Sequence, residues 1–199
     1  MNHKPTRQST KDLLLSTTEK LVDEKGCKKM TLNNIMERTG LSKGAIYHYV
    51  RSKDELLALV LLESYEDINN RFYDQIEQGN KQFEGPLQAI TQTLPHLVDS
   101  NNPVNRIFIY LLGQSDDPEI RKIVRKFYDQ TIRISKQWII SGQEYGVIPS
   151  SVDAEKKAEI FLLLASGLRM RSAVSTDSYA FSAEDLSMFM VNSLKPNNE

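Results

Sequence analysis

The fold is decided by residues 31–56, which read TLNNIMERTGLSKGAIYHYVRSKDEL. This stretch predicts two short helices separated by a tight turn. In the first helix, Leu32, Ile35 and Met36 recur at the i, i+3, i+4 spacing of one apolar face. Gly40 stands where that helix must stop, and a left-handed C-terminal residue is least costly as glycine. A connection this short makes the two helices cross steeply, as in a helix-turn-helix unit that reads DNA.

The second helix, predicted over 43–50, carries the polar side chains expected of a DNA reader. Gly44 in a first helical turn costs roughly 1 kcal/mol relative to alanine, so we expect a phosphate or base edge to approach closely there. Lys43 suits a phosphate or a guanine edge. The predicted DNA-binding residues are Thr31, Ser42, Lys43, Gly44, Ala45, Tyr47, His48, Tyr49 and Lys53. The alternative is a structural helical hairpin in which Tyr47 and Tyr49 only pack and His48 is solvated.

Basic residues on either side of this unit offer further phosphate contacts. Ser52 is a predicted N-cap, and Lys53 follows it in a first helical turn, where a cation opposes the helix dipole. A DNA phosphate would explain that placement of Lys53. Lys4, Arg7 and Lys11 could form an N-terminal arm near phosphates, or could belong to a solvated tail.

These residues resemble the N-terminal signature of TetR-family bacterial transcriptional regulators. The matching elements are Thr31, Ile35, Gly40, Leu41 and the runs 42–44, 46–49 and 52–56. Met36 and Val50 depart from the usual pattern, which has a small residue and a large aromatic residue there. The resemblance implies an all-α protein of about nine helices. A three-helix helix-turn-helix domain over 1–52 would be joined to a helical bundle over 53–199 that senses a ligand and dimerises.

Composition and charge fit a DNA-binding module joined to a different body. Residues 1–60 carry 11 Lys and Arg against 7 Asp and Glu, whereas residues 61–199 carry 14 against 19. The single cysteine, Cys27, suits a reducing compartment. The first ten residues have no apolar core of a signal peptide, and no apolar run approaches the roughly 18 residues of a membrane span. We therefore expect a cytoplasmic protein.

The remaining chain has helical periodicity and lacks alternating strand patterns. The sequence Asp117-Pro118-Glu119 is a strong helix start, because it supplies an N-cap, a proline at the first position and an acid in the first turn. The predicted helices span 10–25, 53–78, 86–99 with a kink at Pro95, 103–112, 118–145, 153–175 and 182–194.

The two C-terminal helices predict a dimer. Apolar residues cover more than one face of the helix at 153–175, and a second apolar face needs a second partner. The resemblance implies that both helices pair with the same two helices of a second protomer in a four-helix bundle, with close approach at Gly167. The predicted interface residues are Ile160, Phe161, Leu164, Gly167, Leu168, Phe189 and Met190. The alternative is that these residues are ordinary buried core.

The body also predicts a small-molecule site. Aromatic side chains with a few polar groups line most ligand pockets, although each one singly is also compatible with a core position. By analogy with the family, the predicted ligand-binding residues are Tyr65, Phe72, Phe108, Leu112 and Trp138. The polar candidates are His96, Arg106 and Gln114, with Arg106 as the buried charge for an anionic ligand.

No pattern of catalytic or metal-ligand residues accompanies these features. His3, His48 and His96 are far apart in sequence, and there is no cysteine pair, glycine-rich phosphate loop or nucleophile elbow. We therefore expect no enzyme activity, no cofactor and no metal. The sequence predicts a homodimeric repressor that binds a palindromic DNA operator and is released by a small-molecule effector. Two alternatives remain, a constitutive DNA-binding protein without a ligand and a protein-interaction adaptor with a degenerate helix-turn-helix.

Overall fold

The computed structural model describes residues 9–78 and 84–195, and all regular structure in these two ranges is helical. They contain nine α-helices and one 3-10 helix, as the resemblance implied. The α-helices are α1 (Thr10–Lys29), α2 (Leu32–Thr39), α3 (Lys43–Tyr47), α4 (Lys53–Glu77), α5 (Glu84–Thr91), α6 (Pro103–Leu112), α7 (Pro118–Glu144), α8 (Ala154–Val174) and α9 (Ala183–Leu194). The 3-10 helix, Leu94–Val98, lies between α5 and α6.

Side-chain caps and one glycine define α1. The Ser9 hydroxyl accepts a hydrogen bond from the Asp12 amide at 3.1 Å, and the Asp12 carboxylate accepts one from the Ser9 amide at 3.2 Å. The predicted end at Gly26 is instead a kink, because Gly26 adopts a φ of 76° and the helix resumes after it. The added turn buries Cys27 against the core.

The predicted signals of the helix-turn-helix unit are confirmed. Thr31 and Ser42 cap α2 and α3, each accepting from the backbone amide three residues later at 3.2 Å. Gly40 ends α2 in the left-handed conformation, with a φ of 69°. The second helix is shorter than predicted, because it ends at Tyr47 and a turn then places Val50 in the core.

The region around Pro95 differs from the prediction. A single kinked helix was expected over 86–99, but α5 ends at Thr91 and a separate 3-10 helix begins at Leu94. Pro95 lies in the first turn of that 3-10 helix, where its missing amide hydrogen removes no helical bond. The proline therefore starts an element instead of bending one.

The later helices follow their predicted start signals. The Asp117 carboxylate accepts from the amides of Glu119 and Ile120 at the start of α7. Asp153 caps α8, and Ser182 forms a capping box with Asp185 at the start of α9. These local caps explain why the boundaries of α6 to α9 agree with the sequence pattern to within two residues.

Buried side chains form two hydrophobic clusters. The N-terminal cluster joins α1, α2, α3, the first half of α4, α6 and the start of α7. The C-terminal cluster joins the second half of α4, α5, the 3-10 helix, the second half of α7, α8 and α9. Since the N-terminal cluster continues across Ser52 into α4 and α6, the helix-turn-helix head is packed directly on the body.

Candidate DNA interface and ligand cavity

The polar residues predicted to contact DNA lie together on the surface at α3. Tyr47 and Tyr49 are 46% and 40% exposed, and Lys43 and His48 are also exposed. The Lys43 ammonium lies 5.5 Å from the centre of the Tyr47 ring, and the His48 and Tyr49 rings meet edge to face. Tyr47 and Tyr49 are thus not packing residues of a helical hairpin. The arrangement presents hydroxyl, imidazole and ammonium donors suited to phosphate oxygens.

Gly44 is exposed beside them in the first turn of α3. A Cβ built at Gly44 would have no heavy atom within 4 Å among the described residues. Packing within the chain therefore does not require glycine there, and the close approach of an external group remains a physical reason for it. Ser42 and Ala45 lie on either side of Gly44 in the chain. The Ser42 and Thr31 hydroxyls serve as the caps of α3 and α2.

Lys53 does not lie free on this surface, in contrast to the prediction. Its ammonium donates to the Cys27 carbonyl oxygen at 3.1 Å and to the Tyr110 hydroxyl at 2.8 Å. It also stands 5.0 Å from the centre of the Tyr110 ring. The position of Lys53 at the start of α4 is therefore explained by its contacts with α1 and α6.

The suggested N-terminal arm is only partly described. Lys11 forms an ion pair with Glu63 of α4, so it belongs to the packing of α1 on the body. Lys4 and Arg7 lie outside the described residues.

The body contains a cavity of about 230 Å³ between the second half of α4, α5, the 3-10 helix and α6 to α9. Three of the predicted ligand residues, Tyr65, Phe72 and Trp138, line it. The Trp138 indole N–H donates to the Asn69 side-chain oxygen at 2.9 Å, so the ring is held in place. Most of the wall is apolar, as in ligand sites that bury a hydrophobic molecule.

The other two predicted ligand residues lie away from the cavity. Leu112 is 44% exposed at the end of α6. Phe108 is buried beside the cavity without being part of its lining. Sequence periodicity placed both on α6 but gave no information on which side of α6 the cavity would form.

The three predicted polar contributors are also separated. His96 lines the cavity from the 3-10 helix. Arg106 lies between α1 and α6, where it donates to the Asp23 carbonyl oxygen at 3.3 Å and comes within 3.8 Å of the Asp23 carboxylate. Gln114 donates to the Tyr110 carbonyl oxygen at 3.4 Å. The prediction that Arg106 is the buried charge of the ligand site is therefore wrong in its placement.

Arg169 of α8 is a buried charged residue of the cavity lining, and sequence reasoning missed it. It is 7% exposed, and its Nε has no hydrogen-bond acceptor within the described part of the chain. Burial lowers the pKa of its guanidinium, and burial raises the pKa of the Tyr65 hydroxyl nearby. The available signal was spacing, because Arg169 continues the inward row of Phe161 and Ala165 at i, i+4, i+8.

Asn105 is a second buried polar residue in the cavity wall. Its side-chain amide donates to the carbonyl oxygens of His96, Leu97 and Asp99, at 2.6, 3.2 and 2.9 Å. These bonds attach the 3-10 helix to α6, and they add to the backbone amides of Asp99 and Asn102, which also donate to the His96 and Asp99 carbonyl oxygens. The wall contributed by α6 is therefore fixed in position relative to the 3-10 helix.

The predicted dimer residues divide into core and surface. Phe161, Leu168 and Met190 are buried within the protomer, and Ile160 and Leu164 are partly buried. Gly167 and Phe189 are exposed. An exposed stripe on α8 includes Gly167 and repeats at i, i+4, i+7 and i+11, and its apolar members are Leu163 (60% exposed), Met170 (59%) and Val174 (76%). Met188 and Phe189 of α9 extend the exposed apolar surface.

The helical fold and the polar surface at α3 define a helix-turn-helix protein, and comparison with known proteins shows which regulators it resembles. Residues 14–60 match the bacterial regulatory proteins of the tetR family. The HTH-type transcriptional repressor NemR of Escherichia coli (strain K12) is 22% identical over 176 residues, which are 87% of this chain and 88% of NemR. Residues 14–60 therefore carry the helix-turn-helix module of the tetR family, and the similarity to NemR over most of the chain supports a TetR-family transcriptional regulator.

Solved structures share the fold over nearly the whole chain. Salmonella enterica GusR has a TM-score of 0.61 at 20% identity, covering 96% of this chain and 99% of GusR. The fatty acid degradation regulator FadR from Bacillus halodurans has a TM-score of 0.66 at 13% identity, covering 92% and 99%. The named relatives are regulators and not enzymes. No helix in the described ranges is long and apolar enough to cross a membrane.

Proposed function

We propose that this protein is a ligand-responsive repressor, with residues 1–52 as its DNA-binding domain and 53–199 as its sensing and dimerisation domain. It binds a palindromic operator as a homodimer and is released when a small molecule occupies the body. The observation that carries this proposal is the cavity of about 230 Å³, which is lined mainly by apolar side chains and shares α4 and α6 with the packing beneath the DNA head.

Helix α6 supplies a physical connection between cavity and head. Asn105 contributes to the cavity wall, whereas Arg106 contacts α1 through Asp23, and Tyr110 accepts a hydrogen bond from Lys53 at the start of α4. A ligand that favours a different position of α6 would therefore move both helices that support the head. It must bind the two arrangements with different affinity, and a coupling of about 1–3 kcal/mol would give about 5- to 150-fold relief of DNA binding.

The dimer is proposed to form through the exposed stripe on α8 with Met188 and Phe189 of α9. Two heads related by a dyad would read half-sites one or more helical turns apart. Gly167→Trp tests this face, because a Cβ at Gly167 has open space around it and the protomer should remain folded. We expect the variant to sediment as a monomer and Lys126→Trp, on the exposed side of α7, to remain a dimer. An unchanged Gly167→Trp dimer would remove this face from consideration.

The DNA function is tested by selecting genomic fragments with the purified protein at about 100 mM salt and footprinting the enriched sites. We expect one palindromic sequence, which Lys43→Ala should bind more weakly or less selectively and Lys126→Ala should bind like the wild type. Loss of sequence preference in Lys43→Ala would indicate guanine readout, and a flatter salt dependence alone would indicate phosphate contact. Absence of enrichment would favour the adaptor function, and enrichment without a shared sequence would indicate an architectural role.

Ligand response is tested separately on the enriched operator. A compound that stabilises the protein in thermal unfolding should also release the operator in fluorescence anisotropy. Binding without release, across every compound that stabilises the protein, would favour the constitutive alternative.

A further inference from the structure

The cavity wall contains a positive charge that the described part of the chain does not neutralise. Arg169 is more than nine-tenths buried, and no carboxylate among the described side chains forms an ion pair with it. Within residues 9–78 and 84–195, its Nε is also without an acceptor. The guanidinium carbon lies 5.4 Å from the centre of the Phe108 ring, so the charge has a stabilising contact with an aromatic face.

An unpaired buried guanidinium is costly to fold. Arginines are almost never fully buried without a partner, since desolvation opposes the charge and a cation–π contact offsets only part of it. The group cannot avoid the cost by losing its proton, because arginine remains protonated in proteins. A strongly perturbed, unpaired charge in a cavity is instead typical of a functional site whose partner arrives from outside.

The remaining wall restricts what that partner can be. Phe72, Leu97, Trp138 and Leu186 line an apolar space that suits a hydrocarbon body. The other arginine of the lining, Arg71, is exposed and donates its Nε to the Asp67 carbonyl oxygen. One buried guanidinium balances one negative charge, and its fork of N–H donors matches a carboxylate. Tyr65, which is near enough to Arg169 for each to alter the other's pKa, is a half-buried neutral phenol of the cavity lining that can donate to the same carboxylate.

We propose that Arg169 anchors the effector of this regulator, and that the effector is a monocarboxylate with an apolar body. The carboxylate forms a two-pronged ion pair with the guanidinium, and the apolar body fills the space between Phe72, Leu97 and Trp138. This inference rests on the proposed ligand-sensing function, and it adds the chemical class of the ligand and the residue that selects it.

The test is direct binding to the full chain by isothermal titration calorimetry, without DNA. The probes are octanoate, decanoate and dodecanoate, with methyl decanoate as the neutral match for decanoate. The variants are Arg169→Met, which keeps the volume and removes the charge, and Arg171→Met, which removes a charge from the same helix outside the cavity. Arg169→Lys retains the positive charge but loses the planar set of guanidinium N–H donors that binds a carboxylate through two hydrogen bonds.

We expect at least one of these carboxylates to bind the wild-type protein at one molecule per protomer. Arg169→Met should weaken that binding about 10- to 100-fold, as expected for loss of a charge-assisted hydrogen-bonded pair. Methyl decanoate should bind Arg169→Met at least as well as it binds the wild type. Arg171→Met should bind the carboxylate like the wild type, and Arg169→Lys should fall between the wild type and Arg169→Met.

Thermal unfolding distinguishes an anchor from a structural residue. Without ligand, Arg169→Met should unfold at the same temperature as the wild type or above it, because an uncompensated buried charge has been removed. A clear decrease would mean that Arg169 has a structural partner and would contradict the proposal. Equal affinity for decanoate and methyl decanoate, unchanged carboxylate binding in Arg169→Met, or no binding of the carboxylate series would overturn it as well.

The proposed function is tested by a second measurement, which is the release of the operator. If decanoate binds through Arg169 but does not release the operator, the anchor stands and the ligand-responsive repressor fails. If a neutral compound releases the operator and no carboxylate binds, the repressor stands and the anchor fails.

Discussion

The two hydrophobic clusters of this protein are packed in different ways. Of the twelve largest side chains that are fully buried in the described residues, eleven belong to the N-terminal cluster and only Leu186 belongs to the C-terminal cluster. The C-terminal cluster surrounds the cavity of about 230 Å³. Close-packed interiors transmit small displacements, whereas an open cavity can accommodate a guest. In the proposed mechanism, the close-packed region beneath the DNA head transmits the displacement, and the cavity in the body recognises the ligand.

The first prediction tests whether the two clusters differ in packing energy. Ile107→Ala removes a fully buried side chain of the N-terminal cluster, and Leu97→Ala removes one that already borders the cavity. We expect the free energy of unfolding to fall by about 4 kcal/mol for Ile107→Ala and about 2 kcal/mol for Leu97→Ala, because Leu97 has fewer contacts to lose. Urea denaturation of both variants provides the measurement. Equal losses would show that the cavity is closed in solution.

The second prediction concerns the hydrogen bonds by which Asn105 of α6 holds the 3-10 helix. Asn105→Ala removes three hydrogen bonds and leaves the carbonyl groups of His96, Leu97 and Asp99 without that donor. We expect the free energy of unfolding to fall by about 2–3 kcal/mol. Asn101→Ala, in the exposed segment before α6, should change it by less than about 0.5 kcal/mol. If the two asparagine variants are equally stable in urea, water replaces the amide and the 3-10 helix is not held by Asn105.

A third prediction uses overpacking to probe the space around the cavity. A Cβ at Gly142 would lie 2.5 Å from Cδ1 of Ile148, so Gly142→Ala must displace that side chain. Since Ile148 also lines the cavity, it has somewhere to move, and we expect a stability loss of below about 1 kcal/mol. The displaced side chain should reduce the affinity for any cavity ligand. A larger loss in thermal unfolding, with ligand affinity unchanged, would indicate that Ile148 cannot move inward.

The fourth prediction leaves stability unchanged and separates the DNA-facing surface from the core. Tyr47→Phe should weaken operator binding by about 1 kcal/mol, or roughly fivefold, through loss of one hydroxyl contact to phosphate. Its free energy of unfolding should be unchanged, because Tyr47 is 46% exposed. Tyr128→Phe on α7 is the matched control and should leave operator binding as it is. A change in sequence preference for Tyr47→Phe in fluorescence anisotropy would assign Tyr47 to base readout.

The head was predictable from sequence because its boundaries depend on local chemistry. Thr31, Gly40 and Ser42 each act within three or four residues of their own position, and each was predicted before the structure. The body was not predictable to the same depth. Lys53 and Tyr110 are 57 positions apart and still share a hydrogen bond, and no periodicity reports such a contact.

At the ligand site, one pair of arginines shows the same limit of prediction from sequence. Arg106 and Arg169 are both arginines on apolar helices, and the prediction, made by analogy with the family, selected Arg106. Arg106 finds Asp23 at the surface of α1, whereas Arg169 is enclosed by elements from α4 to α9. The difference depends on how helices distant in sequence are arranged, which a single sequence pattern does not encode.

The exposed stripe on α8 affects how operator occupancy depends on the amount of this protein in the cell. If the protomers pair through Leu163, Met170 and Val174, the species that recognises a palindrome forms in proportion to the square of the protomer concentration when that concentration is low. Halving the supply of this protein would then reduce operator occupancy by more than half. A gene under its control would switch over a narrower range of protein supply than a gene controlled by a monomer.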